Sequence, residues 1–118
     1  MYRYGDIVLL KAEALAAKGQ IDQAIAELNK TRNRAGIGDY KGATDQQSVE
    51  YEIQQERWRE LNGELKRWWD LIRFHSGGTI NIYDEVPNLN GKDGYPIYFP
   101  VNQEILDINP LIEQTDGY

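Results

Sequence analysis

Apolar positions recur at helical spacing through residues 3–74 and lose that rhythm afterwards. Between Arg3 and Lys18 a stripe of Ile7, Leu10, Ala14 and Ala17, with Val8, Ala12 and Leu15 beside it, predicts an amphipathic helix with a wide apolar face. Gly19 then offers a residue that accepts positive φ just past a helix end, and Asp22 can accept the first free N–H groups of a second helix, about Gln23 to Arg34. In that helix Ala24, Ile25 and Leu28 face the partner, and Lys30, Arg32 and Arg34 in the last turn suit the negative end of its dipole. The small and apolar spacing of the pair resembles one tetratricopeptide-type antiparallel unit, which cannot bury both of its faces without neighbours.

A polar connection, residues 39–45, leads to a third helix, for which Thr44 and Gln47 have the form of a capping box. Val49, Ile53, Leu61, Leu65, Trp68 and Ile72 continue one stripe, and Asn62-Gly63 interrupts it. The pattern therefore predicts a helix to about Leu61 and an aromatic-rich one from Glu64 to Phe74, with Gly63 a bend rather than a stop. From His75 onward, Gly77-Gly78, Asn90-Gly91 and Asp93-Gly94 mark turns. Only Thr79-Ile80-Asn81-Ile82-Tyr83 alternates as a strand would. The expected class is all-α: a tetratricopeptide-like helix pair, further helices over 3–74, and a long loop-rich segment over 75–118.

Composition narrows what such a fold can do. The 118 residues suit one domain, and a 41% hydrophobic fraction gives it a core to bury. A net charge of −6 disfavours nucleic acid as a partner. Cysteine is absent, so disulfides, thiolate catalysis and Cys-ligated zinc are excluded. No apolar run approaches the roughly 18 residues that cross a bilayer, and no signal peptide is visible.

The candidate chemistry lies in Glu56-Arg57-Trp58-Arg59-Glu60-Leu61, Glu64, and Arg67-Trp68-Trp69-Asp70-Leu71-Ile72-Arg73. Carboxylates at 56, 60 and 64 share one helical face, as an acid/base pair or a metal site would require. Arg57, Arg59, Arg67 and Arg73 are interleaved with them, so ion pairing is the better reading, and a paired carboxylate is a poor general acid. His75 is the only histidine and reads as a cap or surface residue, so neither an enzyme nor a cofactor or metal site is expected. Trp68 and Trp69 read as packing residues, whereas Tyr83, Tyr95, Tyr98 and Tyr118 fall in loop and are more available.

These blocks carry a family resemblance. Arg3-Tyr4-Gly5-Asp6 running to Leu15, then Leu28-Asn29-Lys30-Thr31-Arg32-Asn33-Arg34-Ala35-Gly36, resembles the helix pair and arginine-rich exit of SusD/RagB proteins. Glu56-Arg57, Arg67-Trp68-Trp69-Asp70-Leu71-Ile72-Arg73, Tyr95-Pro96-Ile97, Asn109-Pro110 and Gly117-Tyr118 resemble that family's later C-terminal motifs in the same order. Two departures stand out: Tyr98-Phe99 before Pro100, and Thr115-Asp116 before the final Gly-Tyr.

The resemblance implies that residues 1–118 form the C-terminal domain fragment of a lipoprotein at the surface of the outer membrane of Bacteroidetes-type bacteria. Such a protein captures oligosaccharide, or in some members peptide, for a TonB-dependent, SusC-like transporter. It further implies that the targeting segment, the lipidated cysteine and most of the ligand pocket lie upstream, and that any membrane attachment runs through that absent anchor. The helix pair and the Gly-rich tail both read as built to pack on further material, so apolar surface is exposed and the isolated fragment is expected to self-associate. No ligand residue carries over by motif. If these residues do touch sugar, Tyr83, Tyr95 and Tyr98 are the candidates. The alternative reading is a free-standing helix-pair scaffold that binds a protein through its concave face.

Overall fold

The computed structural model describes residues 2–118, which fall into two compact units, one ending at Asn81 and one spanning Ile82–Tyr118. The first contains four helices: α1 (Tyr4–Ala17), α2 (Ile21–Arg34), α3 (Gln46–Glu60) and α4 (Arg67–Ser76). The second contains two short ones, α5 (Ile82–Glu85) and α6 (Gln103–Ile108), and a 3-10 turn at Pro87–Leu89. Among the described residues the fold is all-α, as the periodicity predicts.

In the first unit Leu9, Ala12 and Ala16 of α1, Ala24 and Leu28 of α2, Val49 and Ile53 of α3 and Phe74 of α4 form one buried cluster. The alanines let α1 and α2 approach closely, as a tetratricopeptide-like pair requires. Gly19 lies at φ 74°, and the Gln20 N–H bonds back to the Leu15 carbonyl at 2.9 Å, so the turn satisfies the end of α1 with backbone alone.

Several boundaries and faces differ from the sequence reading. The buried face of α1 is Val8, Leu9, Ala12 and Ala16, whereas Ile7, Ala14 and Ala17 are exposed. This helix is apolar on both sides, so the sequence did not distinguish the two stripes. Helix α2 begins at Ile21, with Gln20 as its N-cap and Asp22 already inside the first turn, where its charge still suits the dipole. The N-cap of α3 is Asp45, not Thr44, and its carboxylate accepts from the Ser48 N–H at 2.9 Å.

Gly63 is a stop rather than a bend. Gly63 at φ 82° and Leu65 at φ 57° both leave the helical region, so α3 closes at Glu60 and α4 opens only at Arg67. Leu65, predicted on the apolar stripe, is 91% exposed. The predicted strand at 79–83 is not formed. The Thr79 N–H bonds to the Phe74 carbonyl and its hydroxyl to Glu50, which closes α4, and Ile82 and Tyr83 belong to α5.

Candidate functional site

The charged motif residues converge on a buried frame that ties α1, α3 and α4 together. Arg57 of α3 is 2% exposed and Asp70 of α4 is 3% exposed. They meet as a two-pronged pair, Nε to Oδ2 at 3.0 Å and Nη2 to Oδ1 at 2.9 Å. The remaining prong, Nη1, lies 2.9 Å from Oδ1 of Asp6 and donates to the Asp6 carbonyl at 3.3 Å. Asp6, in the first turn of α1, is fully buried and also accepts from Lys66. On the far side of Asp70, Arg73 donates to Oδ1 at 2.8 Å and reaches Glu13 of α1 at 2.5 Å and 2.9 Å. Arginine suits the centre because its planar fork can serve two carboxylates at once.

The titration behaviour follows from these partners. Burial works against the charged form of Asp6, but hydrogen bonds from Lys66 and Arg57 outweigh it and hold the carboxyl below its ordinary range. Burial likewise opposes the Arg73 charge, and Glu13 with Asp70 outweighs it, so its pKa is raised.

The carboxylates at 56, 60 and 64 do not share a site. Glu56 pairs with Arg59 at 2.9 Å and Arg32 at 3.5 Å. Glu60 takes Arg3 at 3.1 Å and also Arg34, and Glu64 takes Arg3 at 2.5 Å. The pairing expected for Glu56 and Glu60 is therefore present, but the partners of Glu60 come from outside the Glu-Arg block. The arginine-rich exit of α2 is what reaches α3. Gly5 makes room for Glu60, since a Cβ there would sit 2.7 Å from Glu60 Oε1. No three Asp, Glu or His side chains converge as a metal site would need among the described residues.

Of the remaining candidates, His75 sits in the last turn of α4 with Nδ1 3.4 Å from the Ile80 carbonyl. Trp68 is partly buried, but Trp69, expected to pack, is 55% exposed. In the second unit the Tyr83 hydroxyl donates to the Tyr95 carbonyl at 2.7 Å, while Tyr95 and Tyr98 remain 56% and 50% exposed. Asp6 and Lys66 were not singled out as chemistry in the sequence. The available signal was a carboxylate three residues before Leu9, on the face that α1 buries.

The profile of the SusD family matches residues 1–118. The chain belongs to the SusD family. SusD-like protein P38 of Formosa agariphila is 35% identical, over 100% of this chain and 24% of that protein. SusD-like protein P25 of the same organism is 30% identical, over 99% of this chain and 23% of its own length. The chain thus spans about a quarter of the length of the curated relatives it matches. No solved structure matches it. Within this SusD family chain the Glu-Arg and Arg-Trp-Trp-Asp blocks build the frame around Arg57.

Proposed function

We propose that these residues are the C-terminal domain of a surface nutrient-binding protein of the outer membrane, one that captures oligosaccharide for a TonB-dependent transporter. The observation that carries the reading is the family match along the whole chain. The geometry is consistent with it. Acids and bases that a catalyst would need are spent on one another in a structural frame, so the role assigned here is binding and support without catalysis. Family membership favours this over the free-standing scaffold.

The bulk of the pocket is assigned to the rest of the parent protein, with this chain as its frame. The points at which the chain itself would meet a sugar ring are Tyr95 and Tyr98, whose half-exposed faces suit stacking, with Tyr83 bonded to the Tyr95 backbone. Attachment to the membrane is assigned to a lipid anchor outside these residues.

The test is calorimetric titration of the full-length parent with a panel of oligosaccharides, together with co-purification of the transporter encoded beside it. Saturable binding and a stable complex are expected. A parent that binds neither sugar nor peptide, and that purifies without a transporter, would overturn the proposal.

A further inference from the structure

Helix α3 carries a polar stripe, Gln46, Glu50, Gln54 and Arg57, at the three- and four-residue spacing of one helical face. The Arg57 end is filled by Asp6 and Asp70, and the other end is not. Glu50 accepts from the Gln46 amide at 2.8 Å and from the Thr79 hydroxyl at 2.6 Å, both neutral donors. No cation reaches it among the described residues, whereas every other buried or half-buried carboxylate of the first unit meets a lysine or arginine. One turn further along, Gln54 is fully buried; its side-chain oxygen accepts from Gln55 at 2.8 Å, and its nitrogen has no partner among the described residues. This half of the stripe therefore has more hydrogen-bonding capacity than the chain itself uses.

The unfilled half borders a groove within the first unit. Two adjoining hollows, about 330 and 340 Å³, share Gln46, Glu50, Gly77 and Thr79 in their walls. Each is of the size that takes a small ligand. Thr79 is 9% exposed, so burial fixes the hydroxyl that in turn anchors Glu50. Arg73 and the apolar Ala17 and Phe74 complete the larger-walled of the two hollows. Arg73 spends Nε and Nη2 on Glu13 and Asp70, and no hydrogen bond engages its Nη1 among the described residues. At the rim Gly78 lies at φ 79° with open space where a Cβ would stand, which leaves the approach clear.

The groove thus offers a fixed acceptor at Glu50 and a spare donor at Arg73. An ammonium ligand can only donate, and a carboxylate can only accept and meets Glu50 with like charge. A hydroxyl does both. Adjacent hydroxyls on one ring, with C–H edges against Ala17 and Phe74, match the set, and their bonds to a charged acceptor are the stronger kind. We propose that this groove binds one ring of a saccharide, with Glu50 accepting from its hydroxyls, Arg73 Nη1 donating to them, and Thr79 acting as a positioning residue for Glu50. The proposal rests on the saccharide-binding reading above and adds a contact to Tyr95 and Tyr98.

The test is a 1H–15N NMR titration of the 118-residue chain, at constant protein concentration, with the methyl glycosides of glucose, galactose and mannose, and separately with putrescine and triglycine. At least one glycoside is expected to shift the backbone amides of Gly77, Gly78 and Thr79 and the side-chain amide of Gln46, saturating in the millimolar range. Glu50→Gln should weaken that binding about tenfold, the loss expected for one hydrogen bond to a charged group. Asp22→Asn, the same loss of charge at an exposed position on α2, should not. If the Glu50→Gln spectrum shows lost folding, Gln46→Ala replaces it, with a weakening of the same sign. No saturable shift with any glycoside, saturation by putrescine or triglycine alone, or equal affinities in Glu50→Gln and Asp22→Asn would overturn the proposal. A full-length parent that binds oligosaccharide while these resonances stay still would overturn the groove alone and leave the wider reading standing.

Discussion

Arg57 and Asp70 face each other across α3 and α4 in a two-pronged pair, with both residues almost wholly removed from solvent. An ion pair so placed gains its strength from geometry, because the desolvation of each charge is offset only while the partner is present. The same guanidinium also holds Asp6 at the start of α1, so one side chain sets the spacing of three helices.

The faces of α1 can be separated by truncation. Leu9→Ala is expected to cost about 2–5 kcal/mol, the usual range for a buried leucine, since Leu9 is fully buried in the main cluster. Ile7→Ala should stay within about 0.5 kcal/mol, because Ile7 is 51% exposed. Urea denaturation of both variants decides it, and equal losses would mean that the sequence-derived stripe is the buried one.

Much of the helical architecture was legible because its signals are local. The Gly19 turn, the apolar face of α2 and the break near Asn62-Gly63 are each set by residues a few positions apart. What escaped depends on partners distant in sequence. Asp6 reads as an ordinary first-turn acid until Arg57 and Lys66 arrive from 51 and 60 residues away. The stripe of α1 was misassigned because alanine, leucine and isoleucine occupy both of its sides, which leaves periodicity without a preferred phase. The exposure of Leu65 was hidden for a related reason: its backbone has left the helical region, and spacing does not report backbone conformation. In the candidate site, the pairing of Glu56 and Glu60 was readable from the density of arginine, and the identity of the Glu60 partners, Arg3 and Arg34, was not.

The cap of α3 offers a local test. Asp45→Ala should lower the melting temperature, because the Ser48 N–H loses its acceptor. Thr44→Ala should leave it close to that of the wild type. The reverse order, read by differential scanning calorimetry, would return the cap to Thr44.

Trp68 carries a buried indole nitrogen with no hydrogen-bond partner among the described residues. Trp68→Phe should therefore cost no more than about 1 kcal/mol, since an unpaired buried donor is removed along with some contact area. Trp68→Ala should cost about 3 kcal/mol through the cavity it leaves. Chemical denaturation of the two variants measures the difference, and a larger loss for phenylalanine than for alanine would show that the N–H is bonded.

Acid should unfold the protein partly through Asp6. Its carboxyl titrates below its ordinary 3.8 in the folded chain. The folded state therefore binds the proton less readily than the unfolded one, and the stabilisation is fully present at neutral pH. It is lost as pH falls from about 4 through the folded-state value. Glu27, lowered by hydrogen bonds from Lys11 and Lys30, adds to the same limb. Melting temperature against pH should fall more gently below about pH 4 in Asp6→Asn than in the wild type. An identical slope would remove Asp6 from the acid response.

The most direct test of the frame is a double-mutant cycle on Arg57→Met and Asp70→Asn, followed by equilibrium denaturation. The account predicts that each single change costs about 3–5 kcal/mol, because it strands a buried charge. The double variant should fall short of the summed loss by more than about 1.5 kcal/mol. Single losses below about 1 kcal/mol, or additivity within about 0.5 kcal/mol, would contradict the assignment of the Glu-Arg and Arg-Trp-Trp-Asp blocks to holding the helices together.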